Sequence, residues 1–217
     1  MTGTALAAGL AIVATAVAMV ALLALHVVSP EFQPSWRMVS EYANGRHAWL
    51  LSLMFAGWGL GSLALAMAVG PSVSGSGWPG RVGIAFLVLA GIGELMAAMF
   101  DINHKLHGLA AMIGIPSLPV AAVLIAMALR RADAVGAPPA WATHLTWISF
   151  VLMGVAMAVF MRSLAQAGVG VSPQGAPLTT LPAGVTSFAG WANRFLVAAY
   201  MNWAVLAALL ILRRSPL

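Results

Sequence analysis

The 217-residue chain contains no cysteine and very little charge, since only 7% of its residues are Asp, Glu, Lys or Arg. The absence of cysteine excludes disulfides, thiolate metal ligands, iron–sulfur clusters and covalently attached c-type haem. An ordinary soluble domain is about 25% charged, so ten basic and five acidic residues are too few to cover a water-soluble surface of this size. The composition therefore excludes a soluble enzyme, a nucleic-acid-binding domain and a disordered tail.

The basic residues do not form the patches that bind nucleic acid. No three of them are adjacent, and they occur singly or in pairs between apolar stretches. Isolated Lys and Arg residues in such places anchor spanning helices at the lipid headgroups. Because 62% of the chain is hydrophobic, the sequence predicts an integral membrane protein, with the lipid bilayer as a partner and no nucleic acid.

Six apolar stretches are long enough to cross a bilayer, for which about 20 residues are needed. They span residues 4–28, 47–70, 82–100, 106–129, 141–162 and 191–212. We therefore predict an all-α polytopic membrane protein, a six-transmembrane-helix bundle that forms a single domain over residues 1–217. No Lys or Arg precedes Arg37, so the first stretch lacks the basic region of a signal peptide and is interpreted as a spanning helix.

The orientation is predicted from the loops, because an even number of spans places both termini on one side. Each side has five basic residues, so the positive-inside rule gives a tie. The five basic residues on the side of the termini are accompanied by one acidic residue, Asp133. The five on the other side are accompanied by three acidic residues, Glu31, Glu41 and Asp101. We predict cytoplasmic termini in the inner (plasma) membrane of a bacterium, whose GC-rich genome would favour nine arginines over one lysine.

Ionisable side chains concentrate at the other end of the predicted bundle. Four of the five histidines lie there, namely His26, His47, His104 and His107. Glu94 lies two helical turns before Asp101, about 10 Å deeper in the membrane, where a carboxyl group must be protonated or paired. Arg194, one turn into the last span, is its predicted partner, with a purely structural link between two helices as the alternative interpretation.

A metal site is predicted from Asp101, His104 and His107, whose spacing by three gathers them on one face of a helical turn. Two imidazoles and a carboxylate suit zinc or iron and leave positions open for a substrate. As an alternative, two of His26, His47 and His107 would ligate a b-type haem.

The first loop at this end supplies the remaining candidate residues. Ser40 and Glu41, together with Glu94, are the candidate catalytic residues, while Tyr42 and Arg46, together with Arg194, are the candidate substrate-binding residues. The last loop, 163–190, has no charged residue, and a loop of this length is typical of a lid or a docking surface. Pro116 and Pro119 in the fourth span free backbone carbonyls that a neighbour or water must satisfy.

Three stretches resemble a known family, the bacterial membrane family catalogued as domain of unknown function 998. They are Ser40-Glu41-Tyr42-Ala43-Asn44-Gly45-Arg46, Leu106-His107-Gly108-Leu109-Ala110-Ala111, and Gly190-Trp191-Ala192-Asn193-Arg194 followed by Trp203. The similarity covers nearly the whole chain and implies six spans, but it implies no activity.

Three hypotheses about function follow from these residues. The first is a binding or accessory component of a membrane complex, with other membrane subunits as partners and a polar site at the extracytoplasmic rim. The alternative is a metal-dependent hydrolase that acts on a lipid or its headgroup at the outer leaflet. The second alternative is an electron carrier that binds b-type haem.

Overall fold

The computed structural model describes residues 2–132, 136–170 and 178–214. Over these residues the chain forms six α-helices and a short 3₁₀ helix, with no strand. The α-helices are α1 (Gly3–Val28), α2 (Ala48–Val73), α3 (Trp78–Met99), α4 (His107–Ala132), α5 (Ala140–Gln166) and α6 (Ala189–Arg214), and the 3₁₀ helix is Val39–Asn44. Each helix is long and apolar enough to span a membrane, which confirms the predicted all-α fold with six spans.

The helix ends agree with the predicted spans to within four residues because local signals set them. The Thr2 hydroxyl accepts a hydrogen bond from the Ala5 amide and caps α1. Pro79 lies in the first turn of α3, after Gly77 at a φ of 80°, a conformation that favours glycine. Basic pairs end α4 and α6, where positive charge complements the helix dipole.

The helices form a ring in chain order, since each packs against the next and α6 packs against α1. Helices α2, α4 and α6 also contact one another across the middle of the ring. Their spans are 61%, 56% and 56% buried, compared with 39%, 33% and 22% for α1, α3 and α5. The even-numbered helices are therefore the inner ones, and the odd-numbered helices face lipid.

Glycines set two of the closest helix contacts in the ring. A Cβ atom on Gly57 of α2 would lie 2.8 Å from the Ala14 carbonyl oxygen of α1. A Cβ atom on Gly93 of α3 would collide with the Gly114 backbone nitrogen of α4. These contacts let the backbones approach closely, as small residues generally do in membrane helices.

A tyrosine on α6 satisfies a carbonyl that a proline leaves free on α4. Pro119 has no N–H to donate to the carbonyl of Ile115, four residues earlier. The Tyr200 hydroxyl donates to that carbonyl oxygen at 2.8 Å. The prediction that a neighbour satisfies a freed carbonyl is confirmed here, and the bond fixes two inner helices to each other.

Candidate functional site

The loops between α1 and α2 and between α3 and α4, together with the start of α6, meet at one end of the bundle, which we call the polar end. Its centre is Arg194 of α6, which is only 6% exposed. Its Nε donates to His26 Nε2 at 2.7 Å, and its Nη2 donates to the Tyr42 hydroxyl at 3.2 Å. Because His26 Nε2 accepts, Nδ1 carries the ring proton and donates to the Leu22 carbonyl.

The same guanidinium also fixes the backbone of the first loop. Nη1 of Arg194 donates to the carbonyl oxygens of Arg37 at 2.6 Å, Gly190 at 3.1 Å and Pro34 at 3.4 Å. Five acceptors therefore surround one buried cation, and the two hydrogens of Nη1 are shared among three carbonyls. The planar fork of arginine reaches all five acceptors, whereas the ammonium of lysine has only three donors at one point. Arg194 holds the first loop against α1 and α6.

The predicted pair between Glu94 and Arg194 is not formed. Glu94 Oε2 instead accepts a hydrogen bond from the Ser62 hydroxyl of α2 at 2.7 Å. The reason is the order of the ring: α3 packs against α2 and α4, whereas Arg194 faces α1 and the first loop. Both residues lie near the polar end, but their side chains point to different neighbours.

Glu41 takes part in contacts within the first loop. Its carboxylate forms an ion pair with the buried Arg37, four residues earlier, and accepts from the Met38 amide at 2.7 Å. Arg37 also donates to the Leu178 carbonyl at 2.7 Å, which fixes part of the last loop above the first. The structure thus places this candidate catalytic residue in a structural contact.

A cavity of about 270 Å³ lies directly beside the first loop. Partly exposed Ser40, Ile102 and His107 form its mouth. Trp58 and Tyr200 form its floor, because they lie ten and eleven residues into their helices, about 15 Å below the mouth at 1.5 Å per residue. The other lining residues are apolar except for Glu94 and Asn193: Met38, Val39, Phe55, Gly93, Ala97, Ala110, Ala111, Gly114, Ile115, Leu196 and Val197.

Two polar side chains of the cavity walls differ in their hydrogen bonding. The indole N–H of Trp58, a side chain only 4% exposed, is buried and has no partner among the described residues. The carboxyl group of Glu94 accepts a hydrogen bond from Ser62 through Oε2. Trp58 is held in place by the ring of Phe55, stacked at 6.3 Å, and by the edge of Tyr200 at 6.2 Å. The cavity is therefore mainly apolar, with the Glu94 carboxyl group held at a fixed position in its wall.

The remaining candidate residues of the first loop lie at three different places. Ser40 lies at the mouth of the cavity, together with His107 of α4. Tyr42 is buried under Arg194, and its ring lies 5.9 Å from that of His26. Arg46 is exposed, away from the cavity walls. Of the residues predicted to be catalytic, only Ser40 and Glu94 share a cavity.

The three predicted metal ligands each bond locally instead of facing one point. Asp101 accepts from the Asn103 amide at 2.9 Å, and His104 Nδ1 accepts from the Leu106 amide at 3.2 Å. His107 Nδ1 lies 2.9 Å from the Phe100 carbonyl oxygen. Nowhere in the described ranges are three His, Asp or Glu side chains placed to hold a metal ion. The predicted zinc or iron site is not assembled in this structure.

The histidines of the predicted haem site also have local partners. Both ring nitrogens of His26 are hydrogen-bonded, one to Leu22 and one to Arg194. Nδ1 of His47 lies 3.4 Å from the Ser29 hydroxyl. Ligation of haem iron by His26 would require its bond with Arg194 to break.

The stretches on which the family resemblance was based all meet at the polar end: the 3₁₀ helix, the start of α4 and the start of α6. The family described as a protein of unknown function, DUF998, matches residues 12–212, nearly the whole chain. The chain belongs to this family. No curated protein and no solved structure matches it. Membership in DUF998 confirms the predicted resemblance and supports a membrane protein without a named activity.

The structure gives the third DUF998-like stretch a physical role. A Cβ atom on Gly190 would collide with the Pro34 carbonyl oxygen and lie 2.7 Å from that of Arg37, so glycine permits the first loop to cross α6. Asn193, three residues later, accepts from the Val39 amide at 2.9 Å, and Arg194 completes the attachment. This stretch of the DUF998 protein anchors the 3₁₀ helix that forms one side of the cavity mouth.

Sequence reasoning did not single out Trp58, Ser62 or Tyr200 as site residues of this DUF998 protein. Tyr200 carries a weak signal, since the chain has only two tyrosines and this one lies in mid-span. Trp58 lies inside the second span instead of at an interface, where tryptophans of membrane proteins concentrate. Ser62 follows Trp58 by one helical turn and therefore lies on the same face.

We expect Tyr200→Phe to destabilise the DUF998 protein by about 1–2 kcal/mol, because the Ile115 carbonyl would lose its donor inside the bundle. Tyr42→Phe is the comparison, since Arg194 keeps four other acceptors when the Tyr42 hydroxyl is removed. Thermal unfolding in one detergent, followed by intrinsic fluorescence, measures both variants. A larger loss for Tyr42→Phe than for Tyr200→Phe would contradict this ranking.

Proposed function

We propose that this protein is an integral-membrane binding protein whose cavity takes an apolar molecule from the bilayer. The observation that carries the proposal is the cavity between α2, α3, α4 and α6, because its walls are apolar and its mouth lies at the polar end. Ligand sites are typically concave, mostly apolar and supplied with a few placed polar groups. An engineered apolar cavity of about 150 Å³ holds benzene, so a volume of about 270 Å³ accommodates a larger molecule.

The contacts of the polar residues favour a binding function over a hydrolase. Glu41 is paired with Arg37, and Asp101 and His104 accept bonds from nearby backbone amides. Glu94 lies in the cavity wall and is held by Ser62, an arrangement suited to recognition of a ligand. The role as an accessory component that contacts other membrane subunits stays a prediction.

Burial of two arginines supports the proposed orientation, with both termini in the cytoplasm and the cavity mouth on the extracytoplasmic side. Arg37 and Arg194 are buried in contacts with the protein. Three exposed basic residues remain at the polar end, compared with five at the other: Arg46, Lys105 and Arg162 against Arg81, Arg130, Arg131, Arg213 and Arg214. By the positive-inside rule, this difference in exposed basic residues supports cytoplasmic termini.

Filling the cavity tests the proposal, and we expect Ala97→Phe to reduce ligand occupancy at least about fivefold, since a loss of about 1 kcal/mol in contacts has that effect. The probe is a ten-carbon alcohol with a diazirine in mid-chain, photolysed with the protein in lipid nanodiscs. Mass spectrometry of peptides measures labelling of the cavity-lining ends of α3, α4 and α6 relative to lipid-facing α5.

Ala98→Phe is the matched control, because Ala98 is the next residue on α3 and does not line the cavity. Its labelling pattern should equal that of the unmodified protein. Labelling confined to lipid-facing surfaces, or equal labelling of the cavity peptides in both variants, would refute the proposed binding function. Thermal unfolding of the two variants verifies that both remain folded.

A further inference from the structure

The cavity contains a buried acidic side chain for which the protein supplies no positive charge. Glu94 lines the cavity and is only 5% exposed. No lysine or arginine is among the residues that line the cavity, and the one ion pair within the described part of the chain joins Arg37 to Glu41. A carboxyl group at this depth is uncharged until a cation lies beside it, because an isolated charge inside a membrane is costly.

The two buried arginines at the polar end are already satisfied by other groups. Arg194 donates to five acceptors on α1, the first loop and α6, and Arg37 pairs with Glu41. Glu94 receives a hydrogen bond from the Ser62 hydroxyl, which carries no charge. The positive charge that would pair with Glu94 therefore has to come from a bound molecule.

Aromatic side chains line the same cavity as Glu94. Phe55 stacks on Trp58, and Trp58 and Tyr200 are in T-shaped contact, so the three rings form a continuous aromatic surface. Glu94 is close enough to Tyr200 to interact with it electrostatically. Aromatic rings attract cations, and the attraction is strongest where water is excluded. An acidic side chain beside aromatic rings suits an ammonium group carried on an apolar chain.

On the basis of the binding function described above, we propose that the cavity binds a lipophilic cation, an ammonium group on one apolar chain, and that the ammonium pairs with Glu94. In the empty cavity the carboxyl group keeps its proton. When the cation enters, the O–H bond breaks, the proton leaves for water, and the carboxylate that forms pairs with the ammonium. The bond from Ser62 to Oε2 is stronger when that oxygen is ionised. The chain fills the apolar remainder of the cavity and supplies most of the affinity.

A neutral or anionic ligand would use this side chain less well. A protonated carboxyl group also donates a hydrogen bond to a ketone or ester oxygen, but a serine or a glutamine at the same position would donate equally well. An anionic ligand would place a second negative group beside Glu94, which like-charge repulsion disfavours. Only a cation uses the property that distinguishes a carboxyl group, namely that it becomes negatively charged when it loses its proton.

Competition against the diazirine probe in nanodiscs tests this assignment with compounds of similar size at equal mole fraction in the bilayer. Octyltrimethylammonium carries a charge that does not change with pH, and 2,2-dimethyldecane has the same shape with carbon in place of nitrogen. We expect the cation to compete at least about tenfold better than the alkane, since a desolvated cation contact is worth that factor. Equal or stronger competition by 2-decanone or by octanesulfonate than by the cation would overturn the assignment.

The variant Glu94→Gln keeps the shape of the side chain and an acceptor for Ser62, but it cannot become negatively charged. We expect it to weaken competition by octyltrimethylammonium at least about tenfold and to leave 2,2-dimethyldecane unchanged. Glu31→Gln is the matched control, because Glu31 is exposed in the first loop and does not line the cavity. An equal loss in both variants would show that surface charge attracts the cation and would overturn the role of Glu94.

The exchange of a proton for the cation gives a second readout. The other titratable side chains that line the cavity are His107 of α4 and Tyr200 of α6, α2 presents the uncharged Ser62, and Asp101 of α3 is exposed. Because each bound cation releases one proton from Glu94, its affinity should rise with pH by up to about tenfold per unit. This dependence should disappear in Glu94→Gln. A dependence that Glu94→Gln retains and His107→Gln removes would overturn the proton exchange.

The outcomes separate the cation assignment from the binding function on which it rests. Equal competition by octyltrimethylammonium and 2,2-dimethyldecane, with Ala97→Phe still reducing labelling, would overturn the cation assignment and retain the binding site. Labelling that Ala97→Phe leaves unchanged would refute the binding site itself. Thermal unfolding of Glu94→Gln and Glu31→Gln verifies that a lost preference for the cation does not reflect a lost fold.

Discussion

Replacement of Arg194 by alanine is expected to lower the stability of the protein by about 3–5 kcal/mol, the cost of breaking a buried charged network. The guanidinium donates to His26, to the Tyr42 hydroxyl and to three backbone carbonyls. All five acceptors would lose a donor, and those that are buried would be left without water. A soluble protein of this size would lose roughly 10 °C in Tm from such a change.

The same substitution should also reduce labelling of the cavity. Arg194 and Asn193 attach the first loop to α6, and Ser40 of that loop forms part of the mouth. Without the attachment, the 3₁₀ helix is free to leave the mouth of the cavity. Arg194→Lys keeps the charge but not the planar fork of donors, so we expect an intermediate loss of stability.

Arg162→Ala provides the control for removal of a positive charge at the polar end. Arg162 is exposed near the end of α5, and surface substitutions of this kind change stability by less than about 0.5 kcal/mol. Thermal unfolding of Arg194→Ala, Arg194→Lys and Arg162→Ala in one detergent gives the comparison. Equal Tm values for Arg194→Ala and Arg162→Ala would show that the network does not stabilise the bundle.

Gly93→Ala is expected to destabilise the bundle by about 1–3 kcal/mol through overpacking. The added methyl group would collide with the backbone of Gly114 and lie 2.8 Å from the Ala110 carbonyl oxygen. These atoms belong to the backbone of α4 and not to the end of a flexible side chain, so the two helices must separate. Gly93 and Ala110 both line the cavity, and we therefore expect weaker probe binding as well.

Gly154→Ala makes the same chemical change on α5, where nothing lies within 4 Å of the added Cβ atom. Alanine loses less conformational freedom than glycine on helix formation, so this variant should be more stable by about 0.5–1 kcal/mol. The two variants should move Tm in opposite directions. A rise in Tm for both would contradict the close contact between α3 and α4.

The sequence predicted the helices well because the signals for a span are local. An apolar stretch of about 20 residues crosses the bilayer whatever surrounds it, and proline, glycine and basic pairs set its ends. Even the carbonyl freed by Pro119 was predicted to need a partner, although not which one. The sequence also placed Ser40, Glu94 and His107 near one end of the bundle, and all three line one cavity.

The partners of the polar residues depend on tertiary structure. Glu94 and Arg194 lie at similar depths, which suggested a pair, but depth along the membrane does not specify the direction in which a side chain points. The rotation of each helix and its place in the ring direct Glu94 to α2 and Arg194 to α1 and the first loop. The metal ligands were predicted from spacing alone, whereas in the folded chain one atom of each side chain bonds to a nearby backbone group and the three are not gathered at one point.

The composition and the lengths of the apolar stretches thus determined the class of protein, the number of spans and the end at which polar side chains collect. Only the packing of the helices decided that α2, α4 and α6 lie inside, that a cavity opens beside the first loop, and that Trp58 and Glu94 share its wall. The physical reason is the range of the interactions. Transfer of a helix into lipid depends on its own residues, whereas a cavity and its hydrogen bonds depend on how several helices turn toward one another.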